Sequence, residues 1–178
     1  KNYTHRDIAD ERLDYWLKPE KEAEINFDIR FGWTAAPYFI NSYRSGESEV
    51  VDELHRQVIA VGFFFFERAA AVSPEAAEAL DRTIIADFRG MLSETAPGAA
   101  SVVGEAFSER RCYVEVMLWD SDRVFEAVQN WSSQASNVRA AAFRSYRRPA
   151  GILFFKSADR SKNASDAGDI ADEADEVS

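Results

Sequence analysis

The stretch QVIAVGFFFF, residues 57–66, contains the longest apolar run in the chain and decides how the fold is built. Apolar residues in and before this stretch recur at alternating intervals of three and four, as on a helix, and Ser48 can cap the helix start. We therefore predict a long helix over residues 50–72 that is apolar on two faces and forms the buried centre of the fold. The alternative is a buried strand over 57–66, because Gly62 and four consecutive phenylalanines are poor helix formers.

The flanking sequence is typical of a fold that mixes strands and helices. In chain order we predict a helix over 5–18, a strand over 23–31, a helix from Ser73 to about 95, a hairpin of strands 101–107 and 111–119, a helix after Asp120, and a strand over 151–156. The segment 23–31 alternates strictly between apolar and polar residues, which favours an antiparallel sheet with one face in solvent. The predicted fold class is therefore α+β: a single domain whose mostly antiparallel sheet packs against the long buried central helix and flanking helices.

The length and composition of the chain predict one core followed by an acidic tail. A chain of 178 residues fits a single domain, which we place over 1–156. From Ser157 onward bulky apolar residues nearly vanish, so we expect 157–178 to be a disordered tail. Cys112 is the only cysteine, which excludes an intramolecular disulfide, and no apolar stretch is long enough to span a membrane. We therefore expect a cytoplasmic protein.

The formal net charge of −10 at pH 7 predicts which partners the protein attracts. Phosphate backbones and anionic membranes attract proteins with a net positive face, so this charge argues against both. It favours a protein partner with a basic surface.

The side chains that could carry out chemistry are scattered. His55 lies near Asp52, but a metal site needs three or four ligands and the only other histidine, His5, lies in a different predicted helix. Cys112 alternates with valines and is predicted to be a buried thiol, whereas Glu115 falls on the opposite, polar face and is predicted to be solvated. No phosphate loop, nucleophile elbow or zinc-protease motif occurs. We predict no catalytic residue, no metal site and no cofactor.

Two groups of residues are candidates for binding. The aromatic group consists of Trp33, Tyr38, Phe39 and Tyr43, which would form an interface hot spot if they were exposed together. The basic group consists of Arg139, Arg144, Arg147 and Arg148. It would bind phosphate or RNA with nearby aromatic side chains for stacking, or else pair with the acidic residues of the domain itself.

The leading hypothesis is a non-enzymatic protein-binding module of the adaptor, inhibitor, immunity or secretion-chaperone type, which uses its acidic surface and the aromatic group. The alternative is a small-molecule sensor or enzyme whose phenylalanine-lined pocket lies between the sheet and the predicted helix 50–72, approached by an anion-binding arginine such as Arg111 or Arg144. A third hypothesis is RNA or phosphate binding by the basic group. A homodimer formed through the two-faced apolar helix and a monomer that buries this helix fit the sequence equally well.

Overall fold

A computed structural model of the protein describes residues 12–17 and 28–158, and it places most of the stretch 57–66 in a strand. The strands are β1 (Leu13–Trp16), β2 (Phe31–Thr34), β3 (Ala60–Arg68), β4 (Ala100–Phe107), β5 (Arg111–Leu118), β6 (Val138–Ser145) and β7 (Ile152–Lys156). The helices are α1 (Pro37–Ser45), α2 (Glu49–Arg56), α3 (Pro74–Thr95) and α4 (Ser121–Gln134), and a short 3-10 turn over Arg148–Ala150 precedes β7.

The seven strands that the structure describes form one antiparallel sheet in the order β1-β2-β4-β5-β3-β6-β7. From β3 to β6 the chain runs strand, helix, strand, strand, helix, strand, and these strands lie in the order β4-β5-β3-β6. This is the ferredoxin-like arrangement of two split β-α-β units. β1 and β2 extend the sheet beyond β4, and β7 extends it beyond β6.

The four consecutive phenylalanines divide between two hydrophobic cores, one on each face of the sheet. Phe64 and Phe66 pack in the core that includes α3 and α4. Phe63 and Phe65 pack in the core that includes α1 and α2. A strand buried on both faces reads as a continuous apolar run, so its period of two is hidden. The predicted long helix is therefore wrong beyond Arg56, and the alternative, a buried strand, is confirmed with the bounds of β3.

Elements with strong local signals are confirmed. α3 begins after Ser73, whose Oγ accepts a hydrogen bond from the N–H of Ala76 at 3.2 Å. α4 begins after Asp120, whose Oδ1 accepts one from the N–H of Arg123 at 3.2 Å. The β4–β5 hairpin and β7 agree with the predicted bounds to within one residue. The α+β class and the antiparallel sheet are confirmed, but the long helix of the fold is α3, which covers one face of the sheet.

The N-terminal predictions have a different outcome. Leu13–Trp16 pair with β2 as a strand, where the sequence predicts the end of a helix, because sheet pairing outweighs a short helical pattern. The rest of the predicted helix 5–18, most of the predicted strand 23–31 and most of the predicted tail 157–178 lie outside the described residues. Within the described ranges, no helix combines the length and the apolar character that a membrane span requires.

Candidate functional site

The aromatic group predicted as a hot spot does not form one exposed surface. Phe39 and Tyr43 lie in the core between α1 and the sheet, with 9% and 1% of their surface exposed. Tyr38 is half exposed on α1. Trp33 lies elsewhere, in a groove beside α3. The structure therefore does not bring these four residues together.

The basic group is dispersed, and its described side chains have partners of their own. These contacts join Arg139 to Glu67 at 3.3 Å, Arg147 to Asp52 at 2.8 Å, and the guanidinium of Arg144 to the ring face of Tyr43 at 5.6 Å. Arg139 and Arg144 are five residues apart on β6, which separates them by about 16 Å. The side chain of Arg148 lies outside the described part of the chain. The described members thus form no single basic surface.

Cys112 is confirmed as a buried thiol. Burial raises its pKa well above the usual value, and the neighbouring carboxyl of Asp81 raises it further. A thiol with a raised pKa is a poor nucleophile at neutral pH. His55 is exposed on α2, and no group of three or more metal-binding side chains occurs in residues 12–17 and 28–158.

The face of the sheet under α1 and α2 is filled with side chains. Phe63 and Phe65 pack there against tyrosine rings. Arg111 forms an ion pair with Asp28 at 3.1 Å. The cavity found at this face, beside Glu115, has room for about one water molecule. It has no room for a ligand of the size that a sensor or an enzyme of small molecules would bind.

Glu115 is the main correction to the residues considered in the sequence. Its alternation with apolar neighbours predicts a solvated side chain. In the structure this side chain points into the core that includes α1 and α2, beside Tyr15, Ile40 and Tyr146, and only 5% of Glu115 is exposed. The prediction is wrong because alternation separates the two faces of a strand but does not reveal which faces are covered.

Two hydroxyl groups from distant parts of the chain hydrogen bond to the Glu115 carboxylate. Thr34, the last residue of β2, donates its hydroxyl to Oε2 at 2.6 Å. Tyr146, just after β6, donates its hydroxyl to Oε1 at 2.7 Å. Thr34, Gly104 and Glu115 are neighbours across β2, β4 and β5. Because Gly104 has no side chain, Thr34 can reach over β4 to the carboxylate.

The environment of Glu115 favours its neutral form. Burial raises the pKa of Glu115 from its ordinary value of 4.5 to about 7, although the hydrogen bonds from Thr34 and Tyr146 lower it in part. The pKa of Tyr146 is raised well above its usual value by burial and by the nearby Glu115. The pKa of Tyr15 is also raised, mainly by burial and to a smaller extent by the charge of Glu115. This cluster can therefore take up and release a proton near neutral pH.

A second feature is the free part of β4, at the point where β2 ends. β2 pairs with β4 only over Gly104–Phe107. Beyond Thr34 one further hydrogen bond joins the chain to β4: the N–H of Ala35 donates to the carbonyl of Val103 at 2.6 Å. No strand in the described residues pairs with Ala100–Val102 on this side.

The backbone of this free segment points outward. The carbonyl of Ala99 accepts a hydrogen bond from the N–H of Trp119 at 2.8 Å, on the side of β5. Successive peptide groups of an antiparallel strand alternate in direction. The N–H and carbonyl groups of Ala100 and Val102 therefore point away from β5, out of the sheet edge.

These groups open into a groove of about 670 Å³ between the β4 edge and the C-terminal half of α3. Its apolar lining includes Trp33, Leu92 and Pro97. Two arginines line its walls, and each has a partner. Arg89 forms an ion pair with Glu105 at 2.7 Å. Arg12 forms an ion pair with Asp14 at 3.0 Å, and its guanidinium lies 5.0 Å from the centre of the Trp33 ring. We refer to this feature as the β4 groove.

The sequence contains one local signal for these features. A glycine inside a strand often marks the close approach of another group. A Cβ atom at Gly104 would lie 2.4 Å from Oε2 of Glu115 and 2.8 Å from the carbonyl of Trp33. Where β2 stops pairing cannot be predicted in this way, because Trp33 and its partner Glu105 are 72 positions apart.

No known protein family, characterised protein or solved structure matches this chain. A function is therefore inferred from its own residues.

Proposed function

We propose that this protein is a non-enzymatic binding module that holds an extended segment of another protein by strand addition in the β4 groove. The observation that supports this most directly is the edge of β4 at Ala100–Val102, with which no strand among the described residues pairs. Unpaired strand edges are ready templates for another chain, and proteins normally cover or blunt them. Several families of binding domains use such an edge to recognise extended peptides.

The groove offers backbone groups that could bind any extended segment and an apolar wall that could select among side chains. The outward N–H and carbonyl groups of Ala100 and Val102 can hydrogen bond to any extended backbone, and each such bond contributes about 1 kcal/mol. The apolar wall formed with Trp33 and Leu92 can accommodate alternate side chains of the added segment. Trp is enriched among the residues that dominate binding energy.

The net charge of −10 adds a long-range preference. Complementary charge raises association rates and suppresses partners of like charge. We therefore expect the preferred partner to carry basic residues around an apolar, extended segment.

Selection from a library of short random peptides on the full chain tests this proposal. The strongest synthetic peptide is then titrated against the wild type, Val102→Pro and Val102→Thr. Proline removes an outward N–H without removing a bond to β5, so the sheet should tolerate it. We expect Val102→Pro to weaken binding about fivefold, the effect of losing about 1 kcal/mol, and Val102→Thr, which keeps the N–H, to bind like the wild type.

N-methylation of the peptide tests the same point without altering the protein. Strand addition requires the alternate peptide N–H groups that face β4, so methylation of one alternate set should abolish binding while methylation of the other set leaves it intact. Equal sensitivity of both sets, equal affinity for Val102→Pro and the wild type, or a selection that yields no binding peptide would each contradict the proposal.

A further inference from the structure

The β4 groove and the buried Glu115 meet at one residue. Thr34 is the last residue of β2, and it marks the point where β4 passes from paired to free. Its hydroxyl donates to Glu115 at 2.6 Å and accepts a hydrogen bond from the N–H of Ala36 at 2.9 Å. The end of β2 is therefore fixed to the carboxylate across Gly104.

The rest of the attachment of β2 is short. β2 pairs with β4 over Phe31–Thr34, and on its other side it pairs with β1 over four residues. Short strands at the edge of a sheet are the parts that open first. If β2 and β1 separated from β4, the free edge would lengthen from Ala100–Val102 to the whole of β4.

We propose that ionisation of Glu115 favours the release of β2 from β4 and so controls the length of the edge that is open to strand addition. This inference rests on the proposed function, whose binding site it regulates. Its basis is the bond from Thr34 to Glu115, the burial of that carboxylate, and the position of Thr34 at the boundary of the groove.

The groups around Glu115 explain why its charge matters. The ionisable side chains nearby are tyrosines and arginines from several elements: Tyr15 of β1, Tyr43 and Arg44 of α1, Tyr113 of β5, Arg144 of β6, and Tyr146. Arg144 lies in the same row of the sheet as Glu115, but Phe63 separates the two. Hydroxyl groups, rather than a cation, donate the hydrogen bonds described above to the carboxylate. Within residues 12–17 and 28–158 no cation forms an ion pair with Glu115, and a buried carboxylate without such a pair gains free energy when water reaches it.

The direction of the effect follows from proton linkage. When β2 is closed, the pKa of Glu115 is about 7; when water reaches the carboxylate, its pKa falls toward the ordinary value of 4.5. Opening therefore releases a proton between these two values, and it becomes up to about tenfold more favourable for each pH unit gained in that window. Above pH 7 the carboxylate is ionised in both states, and the effect levels off.

Hydrogen exchange of the full chain tests this inference without any peptide. The readout is the exchange of the N–H groups that hold β2, those of Arg30 and Ala35, which donate to Phe107 and Val103. Each rate is divided by that of Glu115→Gln at the same pH, which cancels the intrinsic effect of pH on exchange. We expect this ratio to rise several-fold to tenfold per unit between about pH 5 and pH 7 and then to level off.

Amides of α3 serve as the internal reference, because α3 packs on the other face of the sheet. A ratio that does not change with pH, or amides of Arg30 and Ala35 that exchange only as slowly as the most protected amides of α3, which report global unfolding, would overturn the inference. A second pair of variants avoids dependence on Glu115→Gln: Thr34→Val should speed exchange of the Arg30 and Ala35 amides, which flank β2, while Thr34→Ser, which keeps the hydroxyl, should not. Equal exchange in these two variants would also overturn it.

The two proposals can fail separately. If exchange responds to pH as expected but Val102→Pro binds the selected peptide like the wild type, the control of β2 stands and strand addition fails. If Val102→Pro loses binding but exchange shows no pH effect, strand addition stands and the role of Glu115 fails. If both hold, the affinity of the selected peptide should rise with pH in the wild type and stay constant in Glu115→Gln.

Discussion

At the scale of single residues, Val58 is in an unfavourable backbone conformation. Its φ of 64° is the only positive value for a non-glycine residue in the described ranges. Val58 follows α2, where its N–H donates to the carbonyl of His55 and the next N–H, of Ile59, donates to Leu54. These two bonds define a Schellman motif, in which glycine is the usual residue at this position.

Replacing Val58 by glycine should stabilise the protein. The left-handed conformation costs a residue with a Cβ atom about 1–2 kcal/mol, and Val58 is 82% exposed, so little packing is lost. We expect Val58→Gly to raise the free energy of unfolding by about 1 kcal/mol, measured by urea denaturation. Val72→Gly is the matched control, because Val72 is fully exposed and its φ is not positive. An equal effect of the two substitutions would show that backbone strain at Val58 is not the cause.

At the scale of elements, two glycines on neighbouring parts of the fold should respond in opposite ways to alanine. At Gly104 in β4, a Cβ would lie 2.8 Å from the carbonyl of Trp33 in β2 and 2.4 Å from Glu115. At Gly90 in α3, it would meet nothing within 4 Å. The difference arises because Gly104 lies beneath the bond from Thr34 to Glu115, whereas Gly90 is on the exposed side of its helix.

We expect Gly104→Ala to lower the free energy of unfolding by about 1–3 kcal/mol, because β2 must shift away from β4. Gly90→Ala should raise it by about 0.5–1 kcal/mol, the usual advantage of alanine in a helix. Both are measured by urea denaturation. Equal changes, or a stabilising Gly104→Ala, would contradict the close packing of β2, β4 and β5 at this point.

At the scale of the whole molecule, Glu115 should make global stability depend on pH. Its pKa is higher in the folded protein, about 7, than the ordinary value of 4.5. The folded state therefore holds this proton more tightly, and the stabilisation is complete below about pH 4.5 and is lost as the pH rises to 7. A shift of this size corresponds to about 3 kcal/mol.

Comparison with Glu115→Gln isolates this contribution, because the other ionisable groups are common to both proteins. We expect the free energy of unfolding of the wild type to fall relative to the variant between about pH 5 and pH 7, by about 3 kcal/mol at most. Parallel curves over this range would mean that Glu115 is not held neutral by burial.

The sequence by itself determined the elements whose hydrogen bonds are local. Ser73 followed by Pro74 starts α3, and Asp120 starts α4, because each cap joins residues three positions apart. The β4–β5 hairpin and the buried thiol of Cys112 follow from a short turn and from alternation within one strand. These features need no knowledge of distant residues, so the patterns that predict them are reliable.

Only the tertiary structure decided the centre of the fold and the candidate site. Residues 60–68 form a strand because helices cover both faces of the sheet, which an apolar run cannot reveal. Glu115 is buried among Tyr15, Ile40 and Tyr146, and its partners Thr34 and Tyr146 lie 81 and 31 positions away. Among the described strands, none pairs with the outer edge of β4 at Ala100–Val102, because β2 ends at Thr34. Burial and strand pairing depend on which distant segments of the chain pack together. Local sequence patterns do not contain this information, which is why they could not predict the buried Glu115 or the edge of β4.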